Sequence, residues 1–451
     1  MATNNNRLKL GEKIAYGMGD SAANVYVAMA STFMTGYYTD TVGLAAAAVG
    51  TMMLLARVFD GVTDLMMGAL VDRTTSRFGK ARPWLLWTAP FMFIGLIALF
   101  SVPKSFYGTN AGLIYAYISY IFMNCIVYTA NNLPYNALLS RMTLNVQDRA
   151  STASIRFVMT QFTTLIINAV TANLVGSLGW TKLAAVYGVI ELAMLIWCFV
   201  GCKEHIDEDV NTGNVEINKV PLKEAVPALL KNKYFYLQAV LFLVLYISVV
   251  CSGATNYYFC NTVLGNMGVI TLVSMATTIP AMIYNFVNPI FVQKFGKRKM
   301  MIVGSALMII GSIVIGAAGA NLPMVMVGLV IKGFGMGPIM SGIFAMTADV
   351  VDYGEWKTGV RSEGLVNSCT SFGMKVGIGL GSAISAWILA FGGYDGTAAV
   401  QSESAVAAIR FSFGYFGAIL AAVCFVIILA MNIDKYIVQI QSDLEAKREG
   451  K

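Results

Sequence analysis

Long apolar runs separated by short polar loops dominate the chain. A helix crosses the hydrocarbon core of a bilayer with about 20 mostly apolar residues. Twelve runs of that kind can be read along the sequence, at about 14–38, 44–71, 83–102, 111–138, 153–177, 182–202, 235–260, 268–292, 300–319, 324–348, 362–391 and 410–432. The pattern predicts an all-α polytopic membrane protein with twelve transmembrane helices.

The basic residues of the loops predict the orientation. Loops that contain few lysines and arginines are the ones translocated across the membrane. On one side of the predicted membrane the loops contain only Lys104 and Lys182. The opposite side carries Arg73, Arg77, Lys80, Arg82, Arg141, Arg149, Lys294, Lys297, Arg298, Lys299, Lys357 and Arg361. Both termini are therefore expected in the cytoplasm.

Composition narrows the class of protein further. The chain is 57% hydrophobic and 12% charged, against about 25% charged for a soluble domain. The net charge of +7 resides in the short loops, so it indicates orientation rather than a nucleic-acid surface. With His205 as the one histidine, a metal site built on several imidazoles is excluded.

The two halves of the chain repeat one another. A hydrophilic stretch at 203–233 divides the predicted helices six and six, giving halves at 1–202 and 234–451. The basic tracts at 77–82 and 294–299 follow the second helix of each half, 217 positions apart, and the same offset carries Asn132 to Asp349. Two pseudo-symmetric six-helix halves joined by a cytoplasmic loop are the major facilitator plan, in which substrate binds at mid-membrane.

Ionisable residues inside membrane helices are costly, and each indicates a function. In the second helix Arg57, Asp60 and Asp64 follow i, i+3, i+7 spacing and share one face with Thr63 beside them. Two carboxylates a turn apart can ligate a cation, or one of them can hold a proton. The alternative is an Arg57–Asp60 ion pair that fixes helix packing. We favour cation coupling.

Three further charges inside predicted spans are candidates for the substrate site. Asp20 follows a glycine-rich stretch of the first helix, and we expect it to face the cavity as a substrate ligand or a partner for a cation. A structural pair with Lys375 or Arg156 is the alternative. Arg156 and Lys375 themselves are candidates for holding substrate.

Two charged clusters in the cytoplasmic loops have opposite signs and could pair across the halves as a gate. The alternative is a set of solvated loop charges. The candidate gate residues are Asp72, Arg73, Arg77, Asp349, Asp352, Glu355 and Arg361.

Several motifs resemble the glycoside–pentoside–hexuronide:cation symporters, the melibiose permease group. They run from the first helix to the eleventh: Tyr37-Tyr38-Thr39-Asp40, Leu55-Ala56-Arg57-Val58-Phe59-Asp60 with Asp64, Asp72-Arg73-Thr74-Thr75-Ser76-Arg77-Phe78-Gly79-Lys80-Ala81-Arg82-Pro83-Trp84, Asn132-Leu133-Pro134-Tyr135, Val351-Asp352-Tyr353-Gly354-Glu355 and Gly359-Val360-Arg361-Ser362-Glu363-Gly364.

The resemblance implies cation-coupled symport of a sugar or glycoside by alternating access in a bacterial inner membrane. It implies a cation site at Asp60, Asp64, Thr63 and Thr129. It implies sugar contacts at Asn24, Asn132, Asn136, Arg156, Thr370, Ser371 and Lys375, to which the residue reasoning adds Asp20.

Departures from the family pattern bear on the substrate. Asn24 and Asn132 stand where melibiose permease has aspartates, and Asn136 stands at its stacking tryptophan. Because Arg156 and Lys375 remain, the pocket is expected to be more positive, which favours an acidic sugar such as a glucuronide. Motifs of the first and eleventh helices look closest to the glucuronide-permease branch. Neutral xylosides or galactosides are the alternative.

Other functions are weighed against symport. We favour H⁺ over Na⁺ as the coupling ion, because a proton needs only one titrating carboxylate. We expect no other cofactor and no metal beyond a possible Na⁺ at Asp60 and Asp64.

An ATP-driven pump is excluded on this chain, which has no G-x-x-x-x-G-K-[ST] loop. A sugar sensor or lipid flippase on the same scaffold is the alternative of another class. The expected partners are the sugar, the cation and the bilayer, with no nucleic acid, for a functional monomer that is not an enzyme.

Overall fold

The computed structural model describes residues 7–143, 145–204, 227, 229–360, 363–398 and 400–448. Every regular element in these ranges is helical. The α-helices are α1 (Leu10–Met29), α2 (Ala46–Arg73), α3 (Arg82–Leu99), α4 (Asn110–Ile121), α5 (Thr129–Met142), α6 (Val146–Leu178), α7 (Trp180–Gly201), α8 (Lys233–Tyr258), α9 (Ile270–Phe295), α10 (Lys297–Ala318), α11 (Leu322–Thr358), α12 (Glu363–Phe391), α13 (Glu403–Arg410), α14 (Phe416–Ala430) and α15 (Ile437–Arg448). Widened π-helical turns lie at Ala30–Met34, Tyr37–Thr41, Phe122–Tyr128, Phe259–Val263 and Phe411–Tyr415.

Eleven helical stretches in the described ranges are long and apolar enough to cross a membrane. They correspond to the second through twelfth predicted runs. The first predicted run is helical as well, because α1 continues through two π-helical segments to Thr41. This stretch, which contains Asp20, is not among the eleven.

The helix starts follow ordinary capping chemistry. Asn232 caps α8 by accepting the N–H groups of Tyr234 and Phe235 through its side-chain oxygen, at 3.1 and 3.3 Å. The glycines of the two repeated basic tracts, Gly79 and Gly296, have φ of +101° and +82° just before α3 and α10. Residues with a Cβ disfavour positive φ, so both copies of the repeat contain a turn that glycine adopts most easily.

The chain divides into two compact units. Unit 1 comprises Met1–Val215 with Tyr394–Gln401, and unit 2 comprises Glu216–Gly393 with Ser402–Lys451. The short segment Tyr394–Gln401 therefore packs with unit 1 although it connects α12 to α13. Within unit 1 the Tyr394 hydroxyl donates to Oδ1 of Asp40 at 2.9 Å.

In unit 1, α1 packs against α6 and α7, and α3 packs against α7. Tyr16 of α1 and Tyr135 of α5 stack with ring centroids 4.5 Å apart, and both rings are buried. The Tyr135 hydroxyl donates to the carbonyl oxygen of Tyr16 at 2.7 Å. This pair connects α1 to α5 next to the candidate site.

In unit 2, the helices α10 and α11 approach at glycines. A Cβ on Gly304 would lie 2.6 Å from the carbonyl oxygen of Gly335, and a Cβ on Gly335 would lie 2.5 Å from that of Gly304. Gly311 and Gly328 repeat the arrangement two turns away, at 2.6 and 2.9 Å. Small residues allow this backbone contact, as is common between membrane helices.

Candidate functional site

Asp60 lies in the middle of α2 and is buried, with 4% of its surface exposed. The Thr129 hydroxyl at the start of α5 donates to its Oδ1 at 2.9 Å. Nη1 of Arg57, one turn earlier, lies 3.4 Å from its Oδ2. Each carboxylate oxygen thus has a partner, and the structure contains both the Thr129 contact and the Arg57–Asp60 pair.

Thr63 and Asp64 occupy the next turn of α2, and both are half-buried. The Thr63 hydroxyl lies 3.2 and 3.1 Å from the carbonyl oxygens of Phe59 and Asp60 and donates to its own helix. Its hydrogen is therefore directed at the backbone, whereas that of Thr129 is directed at the Asp60 carboxylate. The two threonines of the expected cation site are not equivalent.

Asp20 of α1 and Arg156 of α6 form an ion pair, with Nε of Arg156 2.8 Å from Oδ2 of Asp20. The hydroxyl of Thr160 donates to the same oxygen at 2.8 Å. The structure contains the Asp20–Arg156 pair, one of the alternatives left open by the sequence. Thr160 was not anticipated, although it lies one turn from Arg156 on the same face of α6.

A second side of Arg156 contacts α5. Its Nη1 donates to Oδ1 of Asn136 at 3.0 Å, and its guanidinium carbon lies 5.2 Å from the centroid of the Tyr135 ring. Asn136 in turn donates to the side-chain oxygen of Asn132 at 2.8 Å. Asn24 donates to the backbone carbonyl of Asp20 at 2.9 Å. The structure therefore brings together all the sugar-contact candidates of unit 1.

The remaining sugar-contact candidates belong to α12 in unit 2. Thr370 is buried, Ser371 is exposed and Lys375 is half-buried. Ser371 and Lys375 are four residues apart and lie on the same face of the helix.

The cytoplasmic charge clusters are described in part. Arg73 and Arg77 are exposed in unit 1, whereas Asp352 and Glu355 are half-buried in unit 2. The Asp349 carboxylate contacts the ammonium of Lys297 within unit 2. The side chain of Asp72 and all of Arg361 lie outside what the structure describes, as does most of the 203–233 loop. The gate stays a prediction.

Glu204 has a role that the sequence reasoning missed. Its carboxylate accepts the backbone N–H groups of Lys80, Ala81 and Arg82 at 3.1, 2.9 and 2.8 Å, at the start of α3. A carboxylate at a helix N-terminus satisfies unpaired donors and complements the helix dipole. Glu204 thereby fixes the first basic tract against the end of α7.

Lys332 of α11 is buried in unit 2, with 4% exposed. Its Nζ lies 2.7 Å from Oγ of Ser252 in α8. Among the described residues, no carboxylate oxygen is recorded within 4 Å of this ammonium. It is an internal group of unit 2 rather than a side chain that reaches the membrane surface.

The part of the chain that the structure describes contains no group of three or more histidines, cysteines, aspartates or glutamates that could hold a metal ion. The polar groups described at the candidate site are carboxylates with hydroxyl, amide and guanidinium partners. Long apolar helices in two units, with charged groups buried inside them, define a membrane transporter.

Comparison with known proteins identifies the family. A family model described as MFS/sugar transport protein matches residues 15–435. The isoprimeverose transporter of Lactiplantibacillus pentosus is 31% identical over 98% of this chain and 92% of its own length. The glucuronide carrier protein homolog of Escherichia coli K12 is 30% identical over 90% and 89%. The solved D-xylose-proton symporter is similar in fold, with a TM-score of 0.63 at 14% identity, covering 92% of this chain and 96% of that one.

The chain belongs to the MFS/sugar transport protein family. The resemblance to the glycoside–pentoside–hexuronide symporters and the major facilitator fold are confirmed, and the protein is a sugar transporter of the membrane rather than an enzyme.

Proposed function

We propose that the protein imports a glycoside together with a cation across a bacterial inner membrane by alternating access, with both termini in the cytoplasm. The buried carboxylate of Asp60, hydrogen-bonded by Thr129 at 2.9 Å, is the observation that carries this proposal. A buried membrane carboxylate has a high free energy when charged, so binding a cation or a proton there changes the stability of the surrounding helices. Asp64, one turn further along α2, completes the proposed cation site with Thr63.

The coupling ion is proposed to be H⁺. A sodium ion needs several oxygens directed at one point, whereas both oxygens of Asp60 already have donors, Thr129 at 2.9 Å and Arg57 at 3.4 Å. A proton requires only one carboxylate oxygen. Sodium is the alternative, with Asp60 and Asp64 as ligands.

For the sugar, the geometry favours a neutral glycoside. The acidic-sugar hypothesis depends on an excess of positive charge around Arg156 and Lys375, but Asp20 lies 2.8 Å from Arg156 and offsets its charge in unit 1. The relative named an isoprimeverose transporter supports a neutral substrate. The acidic sugar is the second candidate, supported by the relative named a glucuronide carrier homolog.

Uptake in cells that make this protein as their only glycoside transporter tests the proposal. Addition of a transported glycoside should alkalinise a weakly buffered medium, and the signal should disappear with Asp60→Asn. Uptake that depends on Na⁺ and does not alkalinise the medium would identify Na⁺ rather than H⁺ as the coupling ion. Absence of uptake for every neutral and acidic glycoside tried would contradict transport and favour the sensor or flippase alternatives.

A further inference from the structure

Arg156 is hydrogen-bonded on two sides and has the Tyr16 hydroxyl beside it, yet 29% of its side chain remains exposed to a ligand. An arginine has five N–H donors in a planar fork. In this structure Nε is directed at Asp20 at 2.8 Å and Nη1 at Asn136 at 3.0 Å, while one face lies over Tyr135. A carboxylate binds arginine best through two parallel N–H groups along one edge. Asp20 already occupies the Nε position of such an edge.

Asp20 is more deeply buried than the arginine that it pairs with. Its side chain is 11% exposed, against 29% for that of Arg156. Thr160 donates to the same oxygen, Oδ2, that Arg156 contacts, so the carboxylate is fixed from α6 by two donors one turn apart. The carboxylate of the pair is therefore buried, and the guanidinium is its more exposed member.

The exposed part of Arg156 lies among polar side chains of the membrane helices. Asn136 is exposed and Asn132 and Thr160 are half-buried around the guanidinium. Charged and amide groups at membrane depth face a water-filled cavity rather than lipid. A sugar in that cavity would encounter N–H donors whose charge is already balanced.

We propose that Asp20 sets the charge of the sugar that the transporter accepts. The Asp20 carboxylate stands in for the carboxylate of an acidic sugar, so that Arg156 donates to the hydroxyl groups of a neutral glycoside. A uronide would bring a second anion to a guanidinium that already has one. This inference rests on the proposed function, and it assigns Asp20 the role of a specificity-determining residue that acts through Arg156.

The test compares sugars that differ in one group. A 4-nitrophenyl β-glucoside and the corresponding glucuronide differ by CH₂OH against carboxylate at C6, and 4-nitrophenyl β-galactoside and galacturonide form a second pair. Binding of each to the purified wild-type protein should favour the neutral member. In Asp20→Asn the ratio of the two dissociation constants should shift toward the uronide by about tenfold or more, because the charge of the guanidinium is no longer balanced by a carboxylate.

Three controls separate charge from structure. Asp148→Asn removes the carboxylate of the Lys13–Asp148 pair, also in unit 1, and should leave the ratio unchanged. Thr160→Val keeps the Asp20 charge and should weaken binding of both sugars without changing their ratio. Asp20→Glu should keep the wild-type preference, and Asp20→Ser is the second removal variant if Asp20→Asn does not fold.

The outcomes are distinguishable. A wild-type protein that binds neither sugar of either pair would contradict the proposed function. A wild-type protein that prefers the uronide, or removal variants that bind sugar with an unchanged ratio, would overturn the role of Asp20 while leaving glycoside symport intact.

Discussion

The hydroxyl of Thr129 lies 2.9 Å from Oδ1 of Asp60 and joins the start of α5 to the middle of α2 through a buried carboxylate. Thr63, the other threonine of the proposed cation site, donates to the carbonyl oxygens of its own helix. Thr129 and Thr63 therefore have different hydrogen-bond acceptors within the proposed site. Substituting each threonine separately distinguishes their contributions.

Thr129→Val should impair coupling more than Thr63→Val. Valine is close to threonine in shape but removes the donor to Asp60, and loss of one partner of a buried hydrogen bond costs about 1–3 kcal/mol. The apparent affinity for the coupling ion should change by about fivefold or more in Thr129→Val, and by less in Thr63→Val. Glycoside accumulation measured against pH and Na⁺ concentration gives the comparison; equal effects of the two variants would contradict the assignment.

Asp60→Asn and Asp64→Asn should each abolish accumulation against a gradient. Asparagine keeps the size of the side chain but cannot bind the coupling cation as a carboxylate does. Glycoside exchange across the membrane at equal concentrations requires no net cation movement and should persist. Asp148→Asn serves as the control. Concentrative uptake retained in both variants would exclude this acidic pair from coupling.

The glycine contacts between α10 and α11 predict a packing defect. A Cβ on Gly335 would lie 2.5 Å from the Gly304 carbonyl oxygen and 2.6 Å from the backbone nitrogen of Met308. Gly335→Ala should therefore destabilise the protein by about 1–3 kcal/mol, as overpacking does. Gly253→Ala is matched to it, since nothing lies within 4 Å of a Cβ there, and it should be neutral or stabilising. Thermal unfolding in detergent measures both.

The buried Lys332 predicts non-additive effects in a double-mutant cycle with Ser252. Ser252→Ala removes the hydroxyl 2.7 Å from the Lys332 ammonium and should destabilise by about 1–3 kcal/mol. With Lys332→Met already present, the same Ser252→Ala change should have a much smaller effect, because no buried amine is left without its partner. Additive effects of the two substitutions on the unfolding temperature would show that the contact contributes nothing.

Acid should remove the stabilisation at Asp148, which precedes the membrane span that begins at Ser151. The hydrogen bond from the Lys13 ammonium at 2.8 Å, with a second from the Leu8 N–H, lowers the pKa of Asp148. A lowered carboxyl pKa stabilises the fold above the unfolded value of about 3.9, and this contribution is lost as pH falls through the folded value. The unfolding temperature of the wild type should exceed that of Asp148→Asn at pH 6, and the difference should shrink below about pH 4. A difference independent of pH would refute this.

The sequence predicts the helices well because a membrane helix is set by a local property, the length of an apolar run. The first helix is the instructive case: it contains the charges of Glu12, Lys13 and Asp20, yet the chain is helical there. Those charges are satisfied by other helices, as Lys13 by Asp148 and Asp20 by Arg156.

The sequence pattern could offer long-range pairs but could not choose among them. Asp20 and Arg156 are 136 positions apart, and periodicity gives only the face on which each lies, so Arg156 and Lys375 were both open as partners of Asp20. Glu204 gave no signal as a cap for α3, because its partners are backbone N–H groups 122 to 124 positions away. Thr129 entered through the family resemblance, since a hydroxyl in an apolar run has no distinctive pattern of its own.

Cation coupling through Asp60 is measured most directly with purified protein in liposomes. In Na⁺-free buffer, a pH gradient that is acidic outside should drive a transported glycoside into the liposomes to above its external concentration. In the reverse experiment, a glycoside gradient should drive the entry of protons. Both signals should disappear in Asp60→Asn while exchange continues. Accumulation that ignores the pH gradient and a Na⁺ gradient alike, or that survives in Asp60→Asn, would contradict the account.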